Sequence, residues 1–193
     1  MDYPASIDVD TPERLDRWRP FVQWILAIPH LIIANVLGYL GGALSVASWF
    51  VILFTGRLPE GIATLQAMIL RYTARTYAYA GYLHAEYPPF EFTTTSAEPG
   101  GTPVDVGFTP ALTDRNRLTV GLRIIWIIPA MLFALVITFV GTIVWMIAAF
   151  AVLFTGKWPA GMLAWANKTL RVWLRVQAYG SLLTDEYPPF STD

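Results

Sequence analysis

Residues 54–90, FTGRLPEGIATLQAMILRYTARTYAYAGYLHAEYPPF, return one hundred positions later at 154–190 as FTGKWPAGMLAWANKTLRVWLRVQAYGSLLTDEYPPF, without a gap. Sixteen of the 37 positions are identical, among them Phe54/Phe154, Gly56/Gly156, Pro59/Pro159, Gly61/Gly161, Arg71/Arg171, Arg75/Arg175 and the terminal Glu-Tyr-Pro-Pro-Phe. Self-similarity of this length at one offset marks a duplicated structural unit, so the module is what needs explaining. Upstream, Ile28-Pro29 lies over Ile128-Pro129, and with a shift of two residues Arg17-Trp18-Arg19 lies over Arg115-Asn116-Arg117. Even the polar lead-ins are alike: Ile7-Asp8-Val9-Asp10 before Thr11-Pro12, and Val104-Asp105-Val106 before Thr109-Pro110, both alternate and read as short strands outside the membrane. The chain therefore divides into module one (1–90), a Thr-, Pro- and Gly-rich linker or ordered surface loop (91–113) and module two (114–193).

Of the 193 residues, 55% are hydrophobic and 14% charged, well to the apolar side of ordinary usage. A net charge of −1 gives no electrostatic reason to expect nucleic acid. With no cysteine, disulfides, thiol catalysis and Cys-ligated metals are excluded. The acidic N-terminal stretch has no basic region ahead of a short apolar core, so the expectation is that the first apolar segment itself directs membrane insertion. From Phe21 to Phe54, and again from Ile124 to Phe154, no permanently charged side chain occurs. Each run exceeds the roughly 20 residues that cross a hydrocarbon core as a helix. A short interfacial helix up to Pro29 or Pro129, a kink, and one long span accommodates the surplus length. The other solution is a hairpin turning at Gly38–Gly42 and near Gly141. The single span is preferred, because Val140-Gly141-Thr142 offers nothing to solvate a turn in lipid.

After Phe-Thr-Gly-Arg/Lys-x-Pro, Gly56 and Gly156 mark helix ends, and Pro59 and Pro159 suit the start of the next helix. That helix, about 60–83 and 160–183, sets Arg71 and Arg75 on one stripe, and Lys168, Arg171 and Arg175 on its equivalent. Aromatic residues fill much of the remainder, which suits an interfacial helix whose cations reach lipid phosphates. Arg57, Arg71, Arg75, Lys157, Lys168, Arg171 and Arg175 are thus the candidate headgroup or anion ligands. The rival reading carries the arginines into a polar interior, where insertion costs at least ~2.5 kcal/mol each and partners are required. Glu86 and Glu186 are the carboxylates considered for that role, and they sit at the far end of the same helix. Tyr87-Pro88-Pro89-Phe90 and Tyr187-Pro188-Pro189-Phe190 read as rigid stops that fold their rings back onto the helix.

Arg17-Trp18-Arg19-Pro20, Ala27-Ile28-Pro29-His30, Phe54-Thr55-Gly56-Arg57-x-Pro59 and Tyr87-Pro88-Pro89-Phe90 together resemble the bacterial membrane-protein family catalogued as domain of unknown function 4389. The resemblance covers nearly the whole chain and implies no activity. Module two departs from it, with Asn116-Arg117-Leu118 for Trp-Arg-Pro and Pro129-Ala130 for Pro-His. The two histidines, His30 and His84, have no neighbouring carboxylate, and no phosphate loop, nucleophile elbow or metal-binding helix motif occurs. The expectation is an all-α integral membrane protein of two tandem repeats, each a long Pro-kinked transmembrane helix followed by a basic amphipathic interfacial helix, with short extramembrane strands. Its expected role is a non-enzymatic scaffold or accessory subunit in the cell membrane, multi-pass, without cofactor or metal. Its expected partners are membrane lipids and a second copy or another membrane protein. The alternatives are a small transporter or channel with an Arg-lined path, and an anionic-lipid binder.

Overall fold

The computed structural model describes residues 3–192, so the first two residues of module one and the last of module two lie outside the described residues. Strand β1 (Ala5–Val9) pairs antiparallel with β2 (Val104–Phe108), Ile7 standing opposite Val106. Alternation sets Ala5, Ile7, Val9, Val104, Val106 and Phe108 inward and leaves Ser6, Asp8 and Asp105 outward. Just past the ladder, Asp10 N–H donates to Pro103 O (2.7 Å) and Thr109 N–H donates to Pro4 O (2.8 Å). Each strand belongs to a different module, and the two flanking bonds repeat one relation, so the lead-ins pair as a two-fold would pair them.

In module one, α1 (Arg19–Leu26) runs through Ala27 into α2 (Ile28–Thr55), followed by α3 (Glu60–Ala80). In module two the corresponding helices are α4 (Arg117–Gly121), α5 (Arg123–Thr155) and α6 (Ala160–Gly180). The helix boundaries fall at Ala27 and Leu122, ahead of Pro29 and Pro129. Pro29 occupies the first turn of α2, where its missing N–H leaves no bond unmade, and Pro129 lies inside continuous α5. Continuity of α2 through Gly38–Gly42 and of α5 through Gly141 also removes the hairpin alternative. Both long helices stop where Gly56 and Gly156 turn left-handed (φ 69° and 70°). α3 and α6 end at 80 and 180, three residues short of the expected 83 and 183. There Tyr82 and Leu182 take positive φ (48° and 65°), and the Leu83 and Leu183 amides return to Ala78 O and Ala178 O at 3.0 Å.

α2 packs on α3 and α5 on α6, while α3 and α6 meet between them, Tyr77 against Trp173 edge to face. The lead-ins cross over. β1 packs on α6 and β2 on α3, α1 touches α5 and α4 touches α2. Leu15 N–H donates to Gly156 O (2.8 Å) and Arg115 N–H to Gly56 O (3.2 Å), so Leu15 and Arg115 are structural equivalents at the offset of one hundred. This corrects the two-residue shift at Arg17 and Arg115. The long apolar helices do not join the modules: α2 and α5 form no substantial contact with each other. The core lies instead around α3 and α6, where Ala63, Ala67, Leu70, Ala74, Leu170 and Leu174 are buried together. The long helices come close to α3 and α6 at two glycines. Gly41 meets Ile69 of α3, and at Gly141 a Cβ would strike the Thr169 side chain of α6.

α2 and α5 are each long and apolar enough to cross a membrane. Their inner faces pack, while their outer faces, marked by Tyr39 (77% exposed) and Phe54 (79%), stay open along the whole length.

Candidate functional site

The arginine stripe of α3 is interior. Thirteen residues after Pro59 the chain is still helical, and the spacing of four places Arg71 and Arg75 on the face toward β2 and the linker. Both are buried, at 2% and 4% exposure. Arg71 donates to the carbonyls of Thr95 (3.1 Å), Ser96 (3.3 Å) and Ala97 (2.9 Å), and its Nε lies 3.3 Å from Glu98. Arg75 is held by Glu91 at 2.5 Å and by Glu98. Glu98 in turn accepts the Val106 and Gly100 amides at 2.9 and 3.1 Å, which fastens the linker to the sheet. α3 is therefore no exposed surface helix, a correction whose reason is the linker folded across it. Glu91 and Glu98 were missed because their segment reads as spacer, and Glu86, one of the carboxylates considered, is exposed.

α6 has a different cover. Tyr3, just ahead of β1, donates its hydroxyl to Arg175 O (3.2 Å) and Glu186 O (3.1 Å), and the Arg175 guanidinium lies 5.7 Å from the Tyr3 ring centroid. Lys168, Arg171 and Arg175 are half-buried, whereas Arg57 and Lys157 are exposed at the ends of α2 and α5. The seven candidate cations are thus not brought together. Arg71 and Arg75 share one ionic cluster, the α6 cations line a separate helix, and Arg57 and Lys157 stand at two further positions.

A second polar cluster was not anticipated. Where α3 ends, Gln23 of α1 donates through Nε2 to Tyr79 O (2.8 Å) and His84 O (2.7 Å). Where α6 ends, Arg123 donates through Nη1 to Tyr179 O (2.9 Å) and Thr184 O (2.8 Å), one hundred positions on. Carbonyls at a helix end need donors, and each module sends one from just before or at the start of its long apolar helix, Gln23 from α1 and Arg123 from the first residue of α5. Arg123 also meets Asp185 at 2.5 Å and lies 3.8 Å over the Tyr179 ring. Arg115 holds the same carboxylate through Nη2 (2.6 Å) and Nε (2.8 Å), and donates to Leu182 O and Ala111 O. Burial raises the Asp185 carboxyl, but Arg115 and Arg123 outweigh it and hold the group below its ordinary range. The usable signal was a polar residue at the same offset at the head of both apolar runs.

The Tyr-Pro-Pro-Phe segments pack rings onto both helices of their module. Tyr87 meets Tyr79 edge to face and Phe90 stacks on His30 at 4.2 Å, while Tyr187 meets Tyr179 and Phe190 meets Phe133. Pro88 and Pro188 are buried while Pro89 and Pro189 face outward. His30, inside this group, has Nδ1 2.7 Å from the Tyr72 hydroxyl. His84, three residues ahead of Tyr87 and tilted against Tyr79, is buried, and burial together with nearby Arg19 pushes it down to about 4. A neutral imidazole whose unfolded form titrates near 6.5 gives stability that is complete above about pH 6.5 and lost as pH falls toward 4. The expected effect of His84 is a loss of about 2 kcal/mol between about pH 7 and pH 5. Unfolding in detergent at the two pH values measures it, and His84→Thr, the residue module two carries at 184, removes that part of the loss.

Among the described residues no three His, Asp or Glu side chains gather as a metal-binding group. A groove of about 450 Å³ between α5 and α6 is lined by Ile127, Met131, Leu135, Trp173 and Val176, with Thr138 and Gln177 as its polar side chains and no charged group. The ionic groups bind carbonyls and one another, so their chemistry is that of internal ties. The family model described as "Domain of unknown function (DUF4389)" matches residues 17–91 and again residues 117–192. No curated protein matches the chain, and no solved structure matches it.

Proposed function

The chain belongs to the DUF4389 family, whose function is unknown, and from its geometry we propose a non-enzymatic scaffold or accessory subunit held in a cell membrane by α2 and α5. The observation that carries this reading is the outer faces of those helices. Ile32, Val36 and Phe50 of α2, and Leu135, Phe139 and Phe150 of α5, are all exposed, forming an apolar surface far larger than the scattered residues a soluble chain leaves in water. The buried arginines, Arg71, Arg75, Arg115 and Arg123, are spent on internal ties, which leaves the outer surface to act by contact. Lipids are the first partner, and a second copy or another membrane protein is the next.

An Arg-lined transport path finds less support. Arg71 and Arg75 are neutralised by Glu91 and Glu98 and closed off by the linker, so they present no charge to a passing anion. Two measurements test the proposal. The protein is expected to stay with membranes through alkaline carbonate extraction, and vesicles containing it are expected to release chloride or protons no faster than empty ones. Release into the carbonate supernatant overturns the membrane reading, and protein-dependent flux overturns the scaffold reading in favour of a pathway.

A further inference from the structure

The way the long helices meet the bilayer follows from what lies beside them. Gly41, at the middle of α2, packs against Ile69 of α3. Two residues along α3, Arg71 reaches Glu98 and the β2 carbonyl of Val106, so the order α2, α3, sheet is stacked at the centre of the molecule. Helix and sheet layers are spaced about 10 Å apart, which sets the sheet about 20 Å to the side of α2's midpoint. If α2 crossed a bilayer its midpoint would sit at mid-depth, with about 15 Å of hydrocarbon to either side. The sheet beside it, with outward Asp8 and Asp105, would then sit in the same hydrocarbon, where unpaired carboxylates are not tolerated.

The ends of the helices lead to the same place. The start of α2 is bound through His30 to Tyr72, the neighbour of Arg71, and its far end through the Leu58 amide to Leu112 O at 2.8 Å. Leu112 lies four residues past β2, and Leu15, bonded to Gly156 beyond α5, lies six past β1. At about 3.5 Å per residue these far ends lie within about 14 and 21 Å of the small sheet, along helices about 42 and 50 Å long. Charge is distributed to match. Asp8, Asp10 and Asp105 face outward on the sheet side. At one end of the apolar surface the Arg117 guanidinium lies over Gly56, next to Arg57. At the other, the Arg17 stem lies over Gly156, next to Lys157.

We propose that α2 and α5 lie flat in one leaflet, apolar faces among the acyl chains, with the pairs Arg57/Arg117 and Arg17/Lys157 on anionic lipid phosphates and the sheet in water. The protein is then monotopic, entering the membrane from one side only, with the inner faces of α2 and α5 covered by α3 and α6 and their exposed outer faces sunk part-way into a leaflet. This rests on the membrane reading above and replaces crossing as the way α2 and α5 meet the bilayer. The four cations supply the electrostatic half of the attachment, since each basic residue near an anionic surface adds to the attraction.

Because the chain has no cysteine, single cysteines at Trp18, Arg57 and Asp105 report sidedness with a membrane-impermeant maleimide in right-side-out and inverted vesicles. All three are expected to label from one side. Opposite labelling at Trp18 and Arg57 shows that α2 crosses and overturns the proposal while leaving membrane attachment intact. Extraction by carbonate would instead remove the reading on which the proposal rests. In a second arm, protein made by cell-free synthesis with phosphatidylcholine vesicles, with or without phosphatidylglycerol, is floated on a gradient. Replacing Arg17, Arg57, Arg117 and Lys157 by Gln is expected to lower recovery on the anionic vesicles about tenfold and leave recovery on neutral ones unchanged. An unchanged preference for anionic vesicles overturns the assignment of the two basic pairs.

Discussion

Replacing Asp185 by alanine is expected to cost about 3–5 kcal/mol of folding stability, the range found when one partner of a buried ion pair is removed. Asp185 answers two guanidiniums, Arg115 and Arg123, whose side chains are 0% and 4% exposed. Without the carboxylate both cations stay in place, because Nη1 of Arg115 is tied to the carbonyls of Ala111 and Leu182 and Nη1 of Arg123 to those of Tyr179 and Thr184. They are then charged, buried and uncompensated. Module one provides the control, since Leu15, Gln23 and Ala85 stand at the same three positions and the neutral Gln23 alone caps the Tyr79 and His84 carbonyls. The triple change Arg115→Leu, Arg123→Gln, Asp185→Ala is therefore expected to recover most of the loss. Denaturant titration in micelles, followed by tryptophan fluorescence, compares the three proteins. Equal stability of the single and triple variants would show that the loss is not one of charge balance.

Glu98→Ala is expected to cost about 3 kcal/mol by the same logic, and to do so locally. Glu98 bridges Arg71 and Arg75 and accepts two backbone amides, so its loss detaches residues 91–103 from α3 and β2 together. Arg75 retains Glu91, whereas Arg71 is left with carbonyl partners only. The measurement that separates this from general destabilisation is limited proteolysis: cleavage is expected first within 91–103, under conditions where α2 and α3 stay intact. Adding Arg71→Met to Glu98→Ala removes the stranded charge, and the double variant is expected to be more stable than the single one. A double variant less stable than Glu98→Ala alone would contradict this account of Arg71.

Much of the architecture could be read from the sequence because it is written locally. The Gly-x-x-Pro junctions at 56–59 and 156–159 fix where one helix stops and the next begins, and the alternation in 5–9 and 104–108 marks two strands. That these strands pair with each other has no local signal, since their partners lie about a hundred residues apart. The stripe Arg71, Arg75 shows which side chains share a face, yet not what covers that face, because a Thr- and Pro-rich segment reads as spacer until Glu91 and Glu98 are seen to close on it. Gln23 and Arg123 were hidden differently: each precedes a long apolar run that dominates the reading. Length and apolarity of 28–55 and 123–155 likewise report how much lipid a helix tolerates and are silent about its direction, which depends on where Leu58, Leu112, Leu15 and Gly156 are tied.

The crossing-over of the lead-ins makes the pair of modules a dimer carried on one chain. Were β1 and α1 to come from one polypeptide and α5 and α6 from another, their union would weaken as the protein was diluted. A covalent connection replaces that second-order encounter with an intramolecular one, at an effective concentration in the millimolar range for short tethers. The fold is thereby independent of copy number. The duplication also frees the halves to differ: one chain can keep a neutral Gln23 post on one side and the charged Arg115, Arg123 and Asp185 post on the other, an asymmetry closed to two identical subunits.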